Sequence, residues 1–146
     1  MRQQHLYLLL GTNLGDREAN INEVLRQLDA FFGERIGETP VVETEACGFV
    51  APPFLNKIVV YASARKPENI LKICKGIERK MGRTDPPEYA PDGSRIYHDR
   101  IIDIDILFYG EQSINTPELT IPHPQVNTRP FVKELLDKLN PAGQGE

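Results

Sequence analysis

The sequence has few of the features that mark secreted, zinc-binding or membrane proteins. It contains only two cysteines, Cys47 and Cys74. They lack the CxxC spacing of a zinc site, and two cysteines are too few to indicate a disulfide framework. Such sparse cysteine is typical of the reducing cytoplasm, so we expect a cytoplasmic location. The apolar run at residues 6–10 is too short for a signal segment or a membrane span, and no membrane partner is expected.

An excess of positive charge is also absent. The formal net charge is −4, with 17 Lys and Arg against 21 Asp and Glu. Nucleic-acid-binding proteins normally carry a basic field, so no nucleic-acid partner is expected, although the basic residues suffice to meet a small polyphosphate. The segment from Gly11 to Asp16 lacks the Gly-Lys-Ser/Thr end of a Walker phosphate loop, which favours a tight turn with helix capping instead.

The length and the order of the predicted elements indicate one α+β domain. With 146 residues, of which 40% are hydrophobic, the chain can bury one core, and we expect a single domain over residues 1–139 with a flexible tail over 140–146. The expected elements are strands at 6–10, 41–46, 54–64 and 100–108, and helices at 16–33, 67–82 and within 128–139. Between the second helix and the last strand, residues 83–99 form a long loop without periodicity. This order predicts a ferredoxin-like βαββαβ antiparallel sheet with helices packed on it, with the first and the last strand as central neighbours.

The last predicted strand carries two aspartates inside an apolar run. Asp103 and Asp105 alternate with Ile102, Ile104 and Ile106, so both carboxylates are expected on one face, about 6.5 Å apart along the strand. Two ionised carboxylates at that distance repel each other and lose hydration, which is unfavourable unless a cation lies between them. Oxygen ligands without neighbouring His or Cys suit Mg²⁺. The alternative is an ordinary polar face of an antiparallel strand.

Two arginines flank the long loop before this strand. Arg83 opens the loop and Arg100 closes it, and together they suit the binding of a polyphosphate and the neutralisation of transition-state charge. The alternative for each is surface solvation. His123, between two prolines and followed by Arg129, is a candidate for a phosphate or ribose contact or, alternatively, a structural histidine.

An aromatic residue beside an amide indicates a site for a planar ligand. Phe54 and Asn56 are two residues apart on a predicted strand and so share a face, where they suit a heterocycle with donor and acceptor edges. Taken by themselves, Phe54 and Phe131 are core residues by default.

Taken together, these motifs resemble the 6-hydroxymethyl-7,8-dihydropterin pyrophosphokinases of folate biosynthesis, over residues 6–132. The resemblance rests on Arg-x-x-Asp-Ile-Asp-Ile-Leu from Arg100, on Leu-Gly-Thr-Asn-Leu-Gly from Leu10, on Phe-Leu-Asn from Phe54, and on Leu-Thr-Ile-Pro-His-Pro from Leu119. It implies the transfer of pyrophosphate from the co-substrate ATP to 6-hydroxymethyl-7,8-dihydropterin, giving AMP and the pterin diphosphate.

The resemblance also implies a role for individual residues. Two Mg²⁺ ions would bind to Asp103 and Asp105, and Arg83 and Arg100 would stabilise the transferring group. The implied nucleotide contacts are Glu78, Arg100, Ile106, Thr120, His123 and Arg129. The implied pterin contacts are Thr44, Cys47, Phe54, Asn56 and Phe131, with Phe54 and Phe131 on the two sides of the ring.

The sequence departs from the family pattern in several places. The loop between Arg83 and Arg100 is longer than the common form, Asp85 replaces a second arginine, and Glu118 occupies a position where some members have a basic nucleotide contact. A catalytically weakened member of the family is therefore an alternative. A small-ligand-binding ferredoxin-like module without catalysis is another, since such domains often bind small ligands without chemistry. A metal-dependent nucleotidyltransferase or nuclease is a further one, disfavoured by the acidic charge balance. We expect a monomer.

Overall fold

The structure is a computed structural model that describes residues 3–45, 52–82, 88–89, 91, 95–96 and 101–139, with only the backbone for 88–89 and 95–96. Its strands are β1 (Gln4–Thr12), β2 (Gly37–Glu38), β3 (Val42–Thr44), β4 (Phe54–Ser63), β5 (Glu88–Tyr89), β6 (Arg95–Ile96), β7 (Asp103–Tyr109), β8 (Ile114–Asn115) and β9 (Thr120–Ile121). Its helices are α1 (Arg17–Phe32), α2 (Pro67–Lys80), α3 (Gln125–Thr128) and α4 (Pro130–Leu136). No helix in these described ranges is long and apolar enough to cross a membrane.

The main sheet is antiparallel and has the strand order β2–β4–β1–β7, with β3 also paired to β4. The predicted antiparallel sheet with packed helices is therefore confirmed, as is the pairing of the first strand with the acidic strand β7. The expectation that both would be central is wrong, since β7 is the last strand of this sheet among the described residues. The central places belong to β1 and β4, whose nine and ten residues are the longest apolar strands and are buried on both faces.

The two long helices cover one face of the sheet through apolar stripes. Asp16 caps α1, because its side chain accepts the Ala19 N–H at 3.1 Å, and Gly33 ends the helix at φ +86°. Pro67 stands in the first turn of α2, as expected. Both helices bury their apolar side chains against β1, β4 and β7 in one cluster. The helix residues in this cluster are Ile21, Val24, Leu25, Leu28, Ile70, Cys74 and Ile77.

The opposite face of the sheet is covered by the short helices α3 and α4. Val126, Val132 and Leu135 pack there against Leu9 and Leu107. The helix expected within 128–139 is found as α4, which begins at Pro130 because proline fits the first helical turn. The candidate active site lies on this second face, beside α3.

The local structure differs from what the sequence predicts at two places and adds a third feature that was not predicted. The strand expected at 41–46 is limited to β3 and is preceded by β2, a two-residue strand too short to show any periodicity. The loop 83–99 contains a short antiparallel pair, β5 with β6, so it is not wholly irregular. A bulge interrupts β7, where Leu8 pairs with Ile106 but Tyr7 pairs with Phe108, which leaves Leu107 as the extra residue.

Candidate active site

The two aspartates of β7 project from the face of the sheet that α3 and α4 cover. Both side chains are partly exposed, whereas Ile104 between them is 5% exposed and faces the long helices. Across the ladder Asp103 lies opposite Gly11, and Asp105 lies opposite Leu9. The predicted placement of both carboxylates on one face is confirmed. Their role in metal binding remains a prediction.

The surroundings of Asp105 disfavour its negative charge. Its side chain is 24% exposed, in a cleft crowded by protein atoms. Burial, and after it the negative charge of Asp103, raises the pKa of Asp105 to about 7, although Gln125 Nε2 donates a hydrogen bond to Oδ2 at 2.8 Å. A carboxyl group with this pKa would be held in its ionised form by a nearby cation. Among the described residues, no group of three or more His, Cys, Asp and Glu side chains is arranged to hold a metal.

Glu78 fixes α2 against the strand segment between the two aspartates. Its side chain is buried, and Oε2 accepts the Ile104 N–H at 2.8 Å. Lys75, one turn earlier on α2, places Nζ 3.7 Å from Glu78 Oε1. The backbone of β7 is thereby held on its outer edge, where no further strand of the described ranges pairs with it. Glu78 thus contacts the strand and Lys75, and its nucleotide contact stays a prediction.

His123 is anchored beside Asp105 through the bulge of β7. Its N–H donates to the Leu107 carbonyl at 3.0 Å, and its Nδ1 accepts the Gln125 N–H at 3.1 Å. The remaining ring nitrogen, Nε2, lies 3.8 Å from Asp105 Oδ1. Burial lowers the pKa of His123, and since Nδ1 is an acceptor, the neutral ring carries its proton on Nε2 and directs it toward the carboxylate.

Arg129 and Phe131 lie on the other side of the carboxylate pair. Arg129 Nη1 donates to Gln125 Oε1 at 2.9 Å, and the Arg129 guanidinium lies 4.5 Å from the centre of the Phe131 ring. Gln125 therefore lies between Arg129 and Asp105 and contacts both. The structure brings these predicted residues together although they are carried by different elements.

The predicted pterin contacts on β3 and β4 form one wall beside Asp103. Asn56 Nδ2 donates to Thr44 Oγ1 at 2.6 Å, which leaves the Asn56 carbonyl oxygen as the open end of the amide. That oxygen would lie 3.4 Å, and Phe54 Cδ1 3.5 Å, from a Cβ placed at Gly11. Glycine on β1 thus keeps a space free between Asn56 and Asp103.

Two cavities meet at Asp105. The smaller, of about 50 Å³, is lined by Leu9, Gly11, Phe54, Asn56, Asp103, Asp105, Gln125 and Arg129. The larger, of about 340 Å³, is lined by Leu71, Lys75, Ile104, Asp105, Ile106, Pro117, Glu118, Leu119, Thr120, His123 and Pro124. The predicted pterin residues Phe54 and Asn56 line the first cavity, and the predicted nucleotide residues Ile106, Thr120 and His123 line the second. Among the other described residues, Arg129 lines the first cavity instead of the second, and Glu78, Thr44 and Phe131 line neither.

Three predicted residues, Cys47, Arg83 and Arg100, lie outside the described residues, as do Asp85 and the tail 140–146. Sequence reasoning did not identify Gln125 or Lys75. Lys75 carries a weak signal, since it precedes Glu78 by one helical turn. Gln125 carries none, because its contact is with a residue 20 positions earlier in the chain.

The fold and this site define the class of the protein. A carboxylate pair at the junction of two cavities, with an imidazole and a guanidinium beside it, is typical of enzymes that position and neutralise phosphate groups for transfer. By class, the chain is a mixed α/β phosphotransferase.

Comparison with known proteins gives the particular family. The sequence profile of 7,8-dihydro-6-hydroxymethylpterin-pyrophosphokinase matches residues 7–141, and the chain belongs to this family. It is 41% identical over 138 residues to a 2-amino-4-hydroxy-6-hydroxymethyldihydropteridine pyrophosphokinase of Porphyromonas gingivalis, covering 93% of this chain and 90% of that protein. It is 30% identical to the protein of the same name from Bacillus subtilis, covering 86% and 72% of the two chains. It is also 35% identical to a mitochondrial folate synthesis bifunctional protein of Pisum sativum, of which it covers 26%.

Proposed function

We propose that this protein transfers pyrophosphate from ATP to 6-hydroxymethyl-7,8-dihydropterin, giving AMP and the pterin diphosphate, with Mg²⁺ held by Asp103 and Asp105. Membership of the pyrophosphokinase family supports the reaction. The observation that carries the assignment of the site is the position of the carboxylate pair. It lies where a cavity lined by predicted nucleotide contacts meets a cavity lined by predicted pterin contacts.

The residues present fit Mg²⁺. The two side chains offer hard oxygen donors on one face, and the raised pKa of Asp105 shows that burial and the charge of Asp103 disfavour its ionised form, which a bound cation would favour. Mg²⁺ commonly uses one or two protein carboxylates and completes its coordination with phosphate and water oxygens. When bound, the two ions expected here supply neutralisation of the phosphate charge. Asp103 and Asp105 would hold them, with Gln125 keeping Asp105 in place.

On the nucleotide side, the chain binds and orients ATP. His123 presents Nε2–H toward the carboxylate pair and is suited to donate to a phosphate oxygen. Thr120 and Ile106 line the same cavity and are proposed nucleotide contacts, together with Glu78 and Arg129. Lys75 brings a positive charge to this wall, which Glu118 lines as well.

On the pterin side, the open carbonyl oxygen of Asn56 accepts a hydrogen bond from the heterocycle, since Thr44 already engages the amide nitrogen. Phe54 and Phe131 provide the aromatic faces proposed to enclose the ring. Cys47 is proposed to contact the pterin as well. Arg83 and Arg100 are proposed to stabilise the transferring group, in a reaction that depends on positioning and charge neutralisation more than on covalent help.

We further propose that the sheet is a ferredoxin-like one, in which the short strands β2 and β3 together take the place of the second strand. The order β2–β4–β1–β7 supports this arrangement. A monomer in the cytoplasm is the proposed working form, in line with the sparse cysteine content.

The test is the formation of AMP from ATP, Mg²⁺ and the reduced hydroxymethylpterin. Asp103→Asn keeps the shape of the side chain but removes a charged metal ligand, so we expect turnover to fall by about 100-fold or more. Asp137→Asn, at the exposed end of α4, is the matched control and should retain wild-type turnover.

Three results would contradict the proposal. Formation of ADP alone would indicate another phosphotransferase reaction. Ligand binding without any product would indicate a non-catalytic module. Turnover of Asp103→Asn within a few-fold of the wild type would remove the metal assignment while leaving the reaction intact.

A further inference from the structure

Gln125 is not among the residues that the sequence predicts for the site, yet it contacts three of them. Its side-chain Nε2 donates to Asp105 Oδ2 at 2.8 Å, and its Oε1 accepts from Arg129 Nη1 at 2.9 Å. Its backbone N–H donates to His123 Nδ1 at 3.1 Å. The orientation of the amide is fixed by chemistry, because the reverse would place oxygen against a carboxylate and NH₂ against a guanidinium.

We propose that Gln125 is a positioning residue, a neutral spacer that holds Asp105 and Arg129 in place while preventing their opposite charges from pairing with each other. This inference rests on the proposed function, because it assigns Gln125 to the support of the same metal and phosphate site. It adds a residue that acts through the groups it orients.

The side chain of Gln125 is neutral, and this determines how Asp105 and Arg129 interact. An arginine beside a carboxylate normally forms a direct, often bidentate, ion pair. Such a pair would neutralise Asp105 and Arg129 mutually, and a cation or a phosphate would have to compete with it. A neutral amide satisfies one oxygen of Asp105 and one nitrogen of Arg129 and leaves the net charge of both unchanged. Asp105 therefore stays available as a ligand for a cation, and Arg129 keeps its positive charge available for an anionic substrate.

The contacts of Gln125 connect groups that line the two cavities. Asp105 lines both of them, whereas Gln125 and Arg129 line only the smaller one. Arg129 is held from its other side by the ring of Phe131, 4.5 Å away. A continuous series of contacts thus runs from Asp105 through Gln125 and Arg129 to Phe131. Displacement of Gln125 would shift groups on the metal side and on the pterin side together.

The decisive variants keep or remove one property of the side chain at a time. Gln125→Met preserves the length and removes both hydrogen bonds, and Gln125→Asn preserves the amide but is one methylene shorter and cannot span both partners. Asn127→Ala is the matched control, because Asn127 is exposed on the same short helix and makes no described side-chain contact with the site.

The first measurement is calorimetric titration of Mg²⁺ into each protein with a non-hydrolysable ATP analogue. For both Gln125 variants, the Mg²⁺ concentration at half saturation should rise by roughly 10-fold, as for other residues that orient a metal ligand. kcat should fall by a similar factor at saturating substrates. The melting temperature of the metal-free protein should change by less than about 2 °C, since a positioning role does not carry the fold. Asn127→Ala should match the wild type in all three.

The outcomes separate this inference from the proposed function. If the wild type forms AMP and Gln125→Met binds Mg²⁺ with wild-type affinity, the role of Gln125 is refuted and the function stands. If Gln125→Asn behaves as the wild type, spanning is not required and the spacer is refuted. A parallel loss of metal-free melting temperature and Mg²⁺ affinity in Gln125→Met would show a structural role instead. A wild type that neither binds Mg²⁺ with the analogue nor forms AMP would overturn both.

Discussion

At the scale of single residues, Asp105 links the electrostatics of the site to stability. The carboxyl group has its pKa raised from 3.8 to about 7, by burial first and then by the charge of Asp103. Between these two values the folded protein binds the proton more tightly than the unfolded chain. The stabilising contribution is therefore complete below pH of about 4 and is lost as the pH rises through 7.

Asp105→Asn removes this charge and keeps an acceptor for Gln125 Nε2. We expect the metal-free variant to exceed the wild type in free energy of unfolding by about 1 to 2 kcal/mol at pH 8, a value discounted for the partial exposure of the group. The two proteins should converge below pH of about 4. His123, whose pKa is lowered by burial, is present in both proteins. Urea unfolding across this pH range is the measurement.

Asp137→Asn serves as the control, because it removes a carboxylate from the exposed end of α4. Its difference from the wild type should not vary with pH in the same way. A wild type that is more stable than Asp105→Asn at pH 8 without metal would contradict the description of Asp105 as a carboxyl group whose ionised form is disfavoured by burial and by Asp103.

Some features of these residues could be predicted from the sequence and others could not. The shared face of Asp103 and Asp105 was predictable, because side-chain alternation is a local property of a strand. The contact of Asp105 with Gln125 was not, because it depends on where α3 docks after the chain has turned through β8 and β9. The same holds for the amide of Asn56, whose orientation depends on Thr44 on a neighbouring strand.

At the scale of elements, α2 connects the core to the site through Glu78 and contains a glycine in its middle. A Cβ added at Gly76 would meet no heavy atom within 4 Å, and the residue has no positive φ. Gly76→Ala should therefore raise the free energy of unfolding by about 0.5 to 1 kcal/mol, because alanine restricts the unfolded chain and favours the helix. Urea unfolding at neutral pH measures this change.

Gly82, just after the same helix, gives the contrasting control. Its φ is +104°, and an added Cβ would meet Ile101 Cδ1 at 2.8 Å, so Gly82→Ala should destabilise the protein. A gain in stability at both positions, or a loss at both, would show that these two backbone environments do not differ as described.

Elements with a strong local signal were predicted well. The capping of α1 by Asp16, the start of α2 at Pro67 and the long strands β1 and β4 all follow from local patterns of apolar residues and helix-start or helix-stop residues. The two-residue strand β2 and the β5–β6 pair were missed, since such short strands are defined by their partners and not by periodicity. The bulge in β7 was missed for the same reason, although it supplies the carbonyl that anchors His123.

At the scale of the whole molecule, the fold gathers the site from distant parts of the chain. β1, β4 and β7 form a platform whose pairing was predicted in part, and α3 and α4 close it from the face opposite the long helices. The ordered motifs indicated which residues belong together but not the two cavities, because these depend on how α3 packs beside β7. The placement of β7 at the sheet edge also depends on long-range packing. The strands β1 and β4 are buried on both faces and therefore occupy the centre of the sheet.

The charge of the whole molecule leads to a last prediction. The net charge is −4, and the carboxylate pair adds local repulsion for any anion, so ATP alone should stabilise the protein little. A non-hydrolysable ATP analogue with Mg²⁺ binds the folded state only, and at 100 times its Kd it adds about 2.7 kcal/mol to the free energy of unfolding. For a chain of this size that corresponds to a rise of roughly 6 to 10 °C in Tm, measured by scanning calorimetry. The same analogue in EDTA should give less than about 2 °C. An equal rise in EDTA would mean that nucleotide binding does not depend on the carboxylate pair holding a cation.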